Sequence, residues 1–276
     1  MTYFELDISL EQPKEFCDII IAFLNEINFE SYELKERGVK AYIQDQNFSQ
    51  DDFDEFIKKI STITNLDYDL SEIPDVNWNK EWEKNFSPVY INKECVVRAD
   101  FHKKIDNISY EIILSPKMSF GTGHHPTTYL MINEMFRLDF KKKSVFDMGY
   151  GTGILSILSA KFGAKNVSGS DISNYAYQNA YENAKLNDID SIDFQKGGLE
   201  NLEKNKYDII LANINKNVLL EHLLSYKMAL RDTGLILLSG FLDEDKEVIL
   251  KASEENELTL KSSRNMNKWQ LLCLEK

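Results

Sequence analysis

Along the start of the chain, apolar and polar positions alternate. Phe4, Leu6, Ile8 and Leu10 interleave with polar side chains, the pattern of a strand with one wet face. Glu11 to Pro13 break the alternation, and Phe16, Ile19, Ile20, Phe23 and Leu24 then recur at helical spacing. Strands over about 29–35 and 38–44 meet across Glu36 to Gly38. A helix carrying Phe53, Phe56, Ile57 and Ile60 follows, then β-prone residues from Asn65 to Leu70. This order predicts a compact α+β unit over residues 1–72, ferredoxin-like in arrangement. It contains no histidine, cysteine pair or glycine-rich loop, so its expected work is recognition or positioning.

From Ser71 to Pro88 the chain turns polar and aromatic, with prolines on both sides, and residues 73–94 read as a linker with a short helix. Trp78, Trp82 and Phe86 fall four apart; they form either a clamp between two units or a stripe packed on the second core. Residues 95–276 read as one larger domain. Strand-like runs at Cys95–Phe101 and Ser109–Leu114 precede a loop, SPKMSFGTGHHPTTYL. Strands then alternate with helices, and an antiparallel pair closes the chain at Leu258–Ser262 and Lys268–Leu274. Such alternation predicts a mostly parallel sheet covered on both faces, with ligands beyond the carboxyl ends of its strands.

The stretch from Ser144 to Asp171 organises this second half. Val145 and Phe146 lead through Asp147 into Gly149, Tyr150, Gly151 and Gly153, a strand ending in a turn where backbone adopts positive φ and approaches a ligand closely. Ile154, Leu155, Ile157, Leu158 and Phe162 mark a helix stopped by Gly163. Asp171 ends the next short strand, where its carboxylate reaches the ribose of a nucleoside laid across the glycine turn. A dinucleotide fingerprint is absent, because Ile154 or Ser156 stands where its third glycine belongs, and no lysine follows Gly153 as a phosphate loop requires. Asp147 beside the turn disfavours a pyrophosphate and suits a cationic group. The expected ligand is an adenosine carrying a positive centre and no phosphate.

Composition narrows the class. The 276 residues are 43% hydrophobic and 28% charged, ordinary for a soluble globular protein. No run reaches transmembrane length, and the first residues lack a signal-peptide pattern, so no membrane association is expected. Three scattered cysteines indicate neither a disulfide framework nor a metal cluster, which leaves a reducing cytoplasm as the expected compartment. A formal net charge of −13 disfavours direct contact with nucleic acid and suits a basic protein partner.

Two further signals carry chemistry. The loop Phe120, Gly121, Thr122, Gly123, His124, His125, Pro126, Thr127, Thr128 is able to fold over a ligand and start a helix. No metal is expected, since no other ligand stands at a familiar interval from the paired histidines; one of them is expected to cap or shape a pocket. Asn213, in LANINKN, falls at the same end of the sheet as Gly149 and Asp171. It is either a strand-end cap or, with its own NH₂ held elsewhere, an acceptor through its carbonyl for an incoming amine. Ile214 and Asn215 after it exclude the Asn-Pro-Pro-aromatic box associated with methylation of base amino groups.

Together, D-x-G-x-G-T-G at 147–153, Asp171, F-G-T-G-x-H-P-T-T at 120–128 and A-N-I-N at 212–215 resemble the PrmA family, methyltransferases of the eleventh large-subunit ribosomal protein. The loop at 120–128 is the more specific signal, and the resemblance covers nearly the whole chain. It implies a class I methyltransferase: an α/β, seven-stranded Rossmann-like sheet preceded by a substrate-recognition domain. It also implies a monomer acting on the free ribosomal protein, at lysine side chains and the α-amine up to the trimethylated state, with S-adenosyl-L-methionine as cofactor. On the same resemblance Gly149, Gly151 and Gly153 lie at the methionine end, and Asp147 and Tyr150 also bind the cofactor. Asp171 takes the ribose hydroxyls and Ile172 also binds the cofactor, Phe120, Gly121, Thr122 and Thr128 belong to the covering loop, and Asn213 stands by the incoming amine. Tyr150 replaces a small residue or cysteine, and either crowds the pocket or points between strand and helix; Ser173 replaces a second acid. Two other readings are a same-fold methyltransferase with a different protein or small-amine substrate, and a non-catalytic binding module with a residual pocket.

Overall fold

The computed structural model describes residues 3–10, 12–73, 86–117 and 119–276. They divide into two compact units, 1–85 and 86–276. The expected short helix around Trp78 and Trp82 lies outside the described residues.

In the first unit β1 (Tyr3–Leu10), α1 (Pro13–Glu26), β2 (Ser31–Lys35), β3 (Gly38–Gln44), α2 (Gln50–Ile60) and β4 (Leu66–Ile73) follow one another. The strands pair in the order β2-β3-β1-β4, every pairing antiparallel. The alternation of β1 has its expected result. Leu6, Ile8 and Leu10 enter a core with Ile20, Leu24 and Ile43, while Glu5 and Asp7 face the ammonium groups of Lys40 and Lys35. Helix α2 is capped by Ser49, whose hydroxyl accepts from Asp52 N, and carries acids in its first turn and lysines in its last, matching the helix dipole.

The second unit begins earlier than the pattern implies. Val89–Tyr90 (β5) pairs antiparallel with β6 (Cys95–Ala99), which pairs in parallel with β7 (Tyr110–Leu114). Residues 86–94, expected as linker, therefore belong to the second unit, and these strands form a separate three-stranded sheet. The main sheet has seven strands in the order β10-β9-β8-β11-β12-β14-β13. They are β8 (Ser144–Met148), β9 (Asn166–Asp171), β10 (Ile192–Lys196), β11 (Tyr207–Asn213), β12 (Leu230–Leu242), β13 (Thr259–Met266) and β14 (Trp269–Glu275). Pairings from β10 through β12 are parallel, and β14 runs antiparallel to both neighbours. The helices are α3 (Pro126–Met135), α4 (Ile154–Lys161), α5 (Asn174–Leu186), α6 (Lys216–Ala229) and α7 (Lys246–Glu255).

Strand β8 is buried throughout, and its successive side chains enter opposite layers. Val145 joins the core on the side of α4 and α5, and Phe146 joins that of Leu219, Leu223 and Tyr226 from α6. From β8 the chain winds outward through β9 and β10, then returns to β11 on the other flank. This reversal opens a crevice beyond the carboxyl ends of β8 and β11. Among the described residues no helix is long and apolar enough to cross a membrane.

Three asparagines four residues apart, two on α5 and the third at its C-cap, bind the small sheet to the glycine turn, a role no sequence pattern announced. Asn187 Oδ1 accepts from Ile113 N at 3.0 Å, and its Nδ2 donates to Ile113 O at 2.6 Å. Asn183 Oδ1 accepts from Ser115 N at 2.8 Å, and its Nδ2 donates to Thr152 O at 2.9 Å. Asn179 Nδ2 donates to Ser115 O at 3.0 Å. Side-chain amides thus satisfy backbone groups that no neighbouring strand reaches.

Candidate active site

The turn after β8 is left-handed at each expected glycine, with φ of 71°, 54° and 77° at Gly149, Gly151 and Gly153. Gly151 admits no side chain, because a Cβ there would stand 2.4 Å from Phe120 O. That close approach lets Thr152 fasten the 120–128 loop. Thr152 N donates to Phe120 O at 3.0 Å, and its hydroxyl donates to Gly121 O at 2.6 Å. Asp171 closes the other side, its Oδ2 accepting from Gly151 N and its Oδ1 from Ser173 N, both at 2.9 Å. Ser173 caps α5 by accepting from Ala176 N, so the position without the second acid serves the helix instead.

Around this turn lies a cavity of about 570 Å³, within the range of small-molecule sites. Phe120, Gly149, Gly151, Asp171, Ile172 and Asn213 line it. The other six expected residues do not. Gly153 packs beneath the helix, where a Cβ would meet Phe194 at 3.0 Å and Ala180 at 3.1 Å. Gly121 and Thr122 belong to the loop's own fastening, and Thr122 Oγ1 lies 3.2 Å from His124 Nδ1. Thr128 is fully buried in α3. Tyr150 is only 3% exposed, its ring centroid 4.8 Å from that of Phe194 and its hydroxyl donating to Gln195 O at 3.2 Å, so it does not crowd the cavity.

Asp147 also departs from the expectation that it confronts a cationic ligand. It is 1% exposed and accepts from both the backbone N (3.1 Å) and the hydroxyl (2.6 Å) of Ser156. Burial pushes its carboxyl up to about 7, opposed by the Ser156 bonds and reinforced by Asp171. It braces strand against helix.

Asn213 Nδ2 lies 3.4 Å from Thr128 Oγ1, while its Oδ1 is buried with no hydrogen-bond partner among the described residues. Ser119 Oγ, also at the cavity, is unpartnered in the same sense. Asn215, rather than Asn213, caps α6 by accepting from Val218 N. A buried carbonyl without a donor is costly unless a ligand supplies one.

The paired histidines diverge. His124 turns to Ser87 O (3.1 Å) and the ring of Phe86. His125 caps α3 by accepting from Thr127 N, and burial holds its pKa below the ordinary imidazole value. Among the described residues no group of three or more His, Cys, Asp or Glu is placed to hold a metal. His125 lines the cavity together with Trp269 and His222, which sequence reasoning did not single out. Gly240, also in the lining, carried a usable signal, being a glycine within an apolar strand. Its φ is 100°, a Cβ would lie 2.1 Å from Ile214 O, and the β12–β14 register shifts there.

A seven-stranded sheet of this order, with a glycine turn after β8, an acid after β9 and the cavity at the reversal, defines a class I methyltransferase. Residues 11–276 match the family model described as ribosomal protein L11 methyltransferase (PrmA). The chain is 42% identical over 258 residues to the ribosomal protein L11 methyltransferase of Porphyromonas gingivalis, covering 92% of this chain and 89% of that protein. It is 38% identical to that of Bacteroides thetaiotaomicron, with 98% of each chain covered. The crystal structure of the ribosomal protein L11 methylase from Lactobacillus delbrueckii subsp. bulgaricus superimposes with a TM-score of 0.63 at 30% identity, covering 68% of this chain and 97% of that one. The chain belongs to the ribosomal protein L11 methyltransferase family, as the glycine and 120–128 motifs imply, and is an enzyme.

Proposed function

We propose that this protein transfers methyl groups from S-adenosyl-L-methionine to amino nitrogens of ribosomal protein L11, at lysine side chains and the α-amine, up to the trimethylated state. The observation that carries the reading is Asn213, whose buried carbonyl lacks a donor among the described residues at the wall of the cavity. An incoming amine N–H supplies that donor, and Thr128 holds the other end of the amide. The cavity fits the cofactor in size and lining. Gly149 and Gly151 take the methionine end, Asp171 has lone pairs left for ribose hydroxyls, and the 79% exposed Ile172 lies against the base. Asp147, Tyr150, Gly153, Gly121 and Thr122 serve by bracing the walls.

When bound between Gly149, Gly151 and Asp171, the cofactor would supply an electrophilic methyl on cationic sulfur for attack by an amine lone pair. The chain's part is to present a neutral nitrogen in line. A free lysine has a pKa of about 10.4, so the amine must shed a proton first, and a nearby positive centre favours that loss. Asn213 orients the nitrogen by accepting one N–H, which needs no strong base. Tyr150, buried away from the cavity, removes the support for a non-catalytic module.

The first unit recognises the protein substrate. Residues 1–85 hold 20 acidic against 8 basic side chains, so nearly all of the net charge of −13 lies there. This favours a basic ribosomal protein, met free in the cytoplasm by a monomeric enzyme, over nucleic acid. Labelled cofactor and unmethylated L11 test the reading, with modified nitrogens located by mass spectrometry. Cofactor binding without N-methyl groups on L11 refutes it. Added salt is expected to raise KM for L11 while leaving that for the cofactor nearly constant.

A further inference from the structure

Phe120, His125 and Trp269 line the same cavity as Asn213 and pack as one aromatic wall. The ring centroids of His125 and Trp269 are 4.6 Å apart at 70°, and those of Phe120 and His125 are 5.2 Å apart at 61°. The wall is preorganised. His125 is the N-cap of α3, with Nδ1 2.8 Å from Thr127 Oγ1. Trp269 opens β14, paired with Leu242 on one side and Met266 on the other. Phe120 is held through its backbone carbonyl by Thr152 N. Burial lowers the His125 pKa, which favours the neutral imidazole beside a cation.

Asn213 alone does not account for repeated transfer. Its carbonyl holds an amine through an N–H, and each methyl removes one. A neutral primary amine offers two, a monomethyl amine one, and a dimethyl amine none. Orientation for the last transfer must therefore come from groups that recognise methyls and positive charge rather than N–H bonds. Aromatic rings do so, since their faces attract alkylammonium ions and pack against methyl groups. We infer that the wall of Phe120, His125 and Trp269 seats the methylated ammonium head between transfers, and so determines how far methylation proceeds. This rests on the proposed amine methylation.

The test uses the full-length protein with S-adenosyl-L-methionine and unmethylated L11, following mono-, di- and trimethyl products over time by mass spectrometry. Trp269→Leu is expected to slow the second and third transfers relative to the first by on the order of tenfold, so monomethyl product accumulates. Trp269→Phe, which keeps a π face, restores trimethylation. Equal slowing of all three steps, or an unchanged product ratio, overturns the inference. Where the tryptophan variant fails to fold, Phe120→Leu repeats the comparison at a side chain 56% exposed. A binding arm is independent of L11: Nα-acetyl-trimethyllysine amide is titrated against its neutral tert-butyl carbon isostere, by NMR. The wild type is expected to prefer the cation several-fold, with the preference lost in the leucine variant. Equal affinities in the wild type overturn the inference. If that preference is found but L11 stays unmodified, the substrate reading fails while the ammonium seat stands.

Discussion

Replacing Asp171 by asparagine keeps the side chain's size but is expected to weaken cofactor binding, and the reason lies in its two partners. Each carboxylate oxygen accepts a backbone N–H at 2.9 Å, one from Gly151 and one from Ser173. Asparagine offers one acceptor and one donor, so its NH₂ must confront one of these N–H groups. Either the glycine turn or the start of α5 loses its acceptor, and the charge available to ribose hydroxyls disappears. A hydrogen bond to a charged group contributes about 1.5–3 kcal/mol, so losing the ribose contact alone weakens cofactor binding roughly 10- to 150-fold. Displacement of the turn adds to this. Isothermal titration with S-adenosyl-L-methionine measures the effect, with a thermal melt to verify folding. Asp171→Asn is expected to bind no better than Asp171→Ala. Affinity within about threefold of the wild type, or clear rescue by asparagine over alanine, would refute the paired-acceptor argument.

Asn213→Ala removes the unpartnered carbonyl and is expected to lower kcat on the order of 100-fold, as for other single positioned polar groups. Cofactor affinity should change far less, and an equal loss of both would end the role assigned to it. Asn183→Leu leaves Ser115 N and Thr152 O without partners in a fully buried position. At about 1–3 kcal/mol each, denaturant unfolding should report a loss of about 2–6 kcal/mol; a change below about 1 kcal/mol contradicts the accounting. Asp147 has a folded pKa raised to about 7, above its unfolded value of about 3.9, so the folded state binds the extra proton between them. Its contribution therefore becomes less favourable as pH rises from about 4 to 7, and flat above that. Asp147→Asn should be more stable relative to the wild type at pH 8 than at pH 4, by urea titration at both; a pH-independent difference contradicts this.

Local composition was enough to read most elements and the ligand end of the sheet. The alternation of β1, the apolar run of β8, the glycines at 149, 151 and 153 and the acid at 171 each answer to a local rule: side-chain period, burial on two faces, positive φ, strand end. The interval of the 120–128 loop from those glycines carried the family. Which expected residues touch the cavity was not legible, because strand–helix packing rather than spacing decides it. Asp147 and Gly149 are two positions apart, yet Asp147 lies within β8 with its carboxylate on Ser156, whereas Gly149 lies past the end of the strand, in the left-handed turn at the cavity. Tyr150 was ambiguous for the same reason.

Sequence by itself determined the parallel sheet, the crevice at its carboxyl end and the family, since these follow from patterns within a few residues or from motif intervals. Only the tertiary structure decided which atoms face one another. Asn183 joins Ser115 to Thr152 across 68 and 31 positions, and Trp269 meets His125 from the far end of the chain. Contacts of that kind depend on the order in which strands lie side by side, and no local periodicity encodes which strand will be the neighbour.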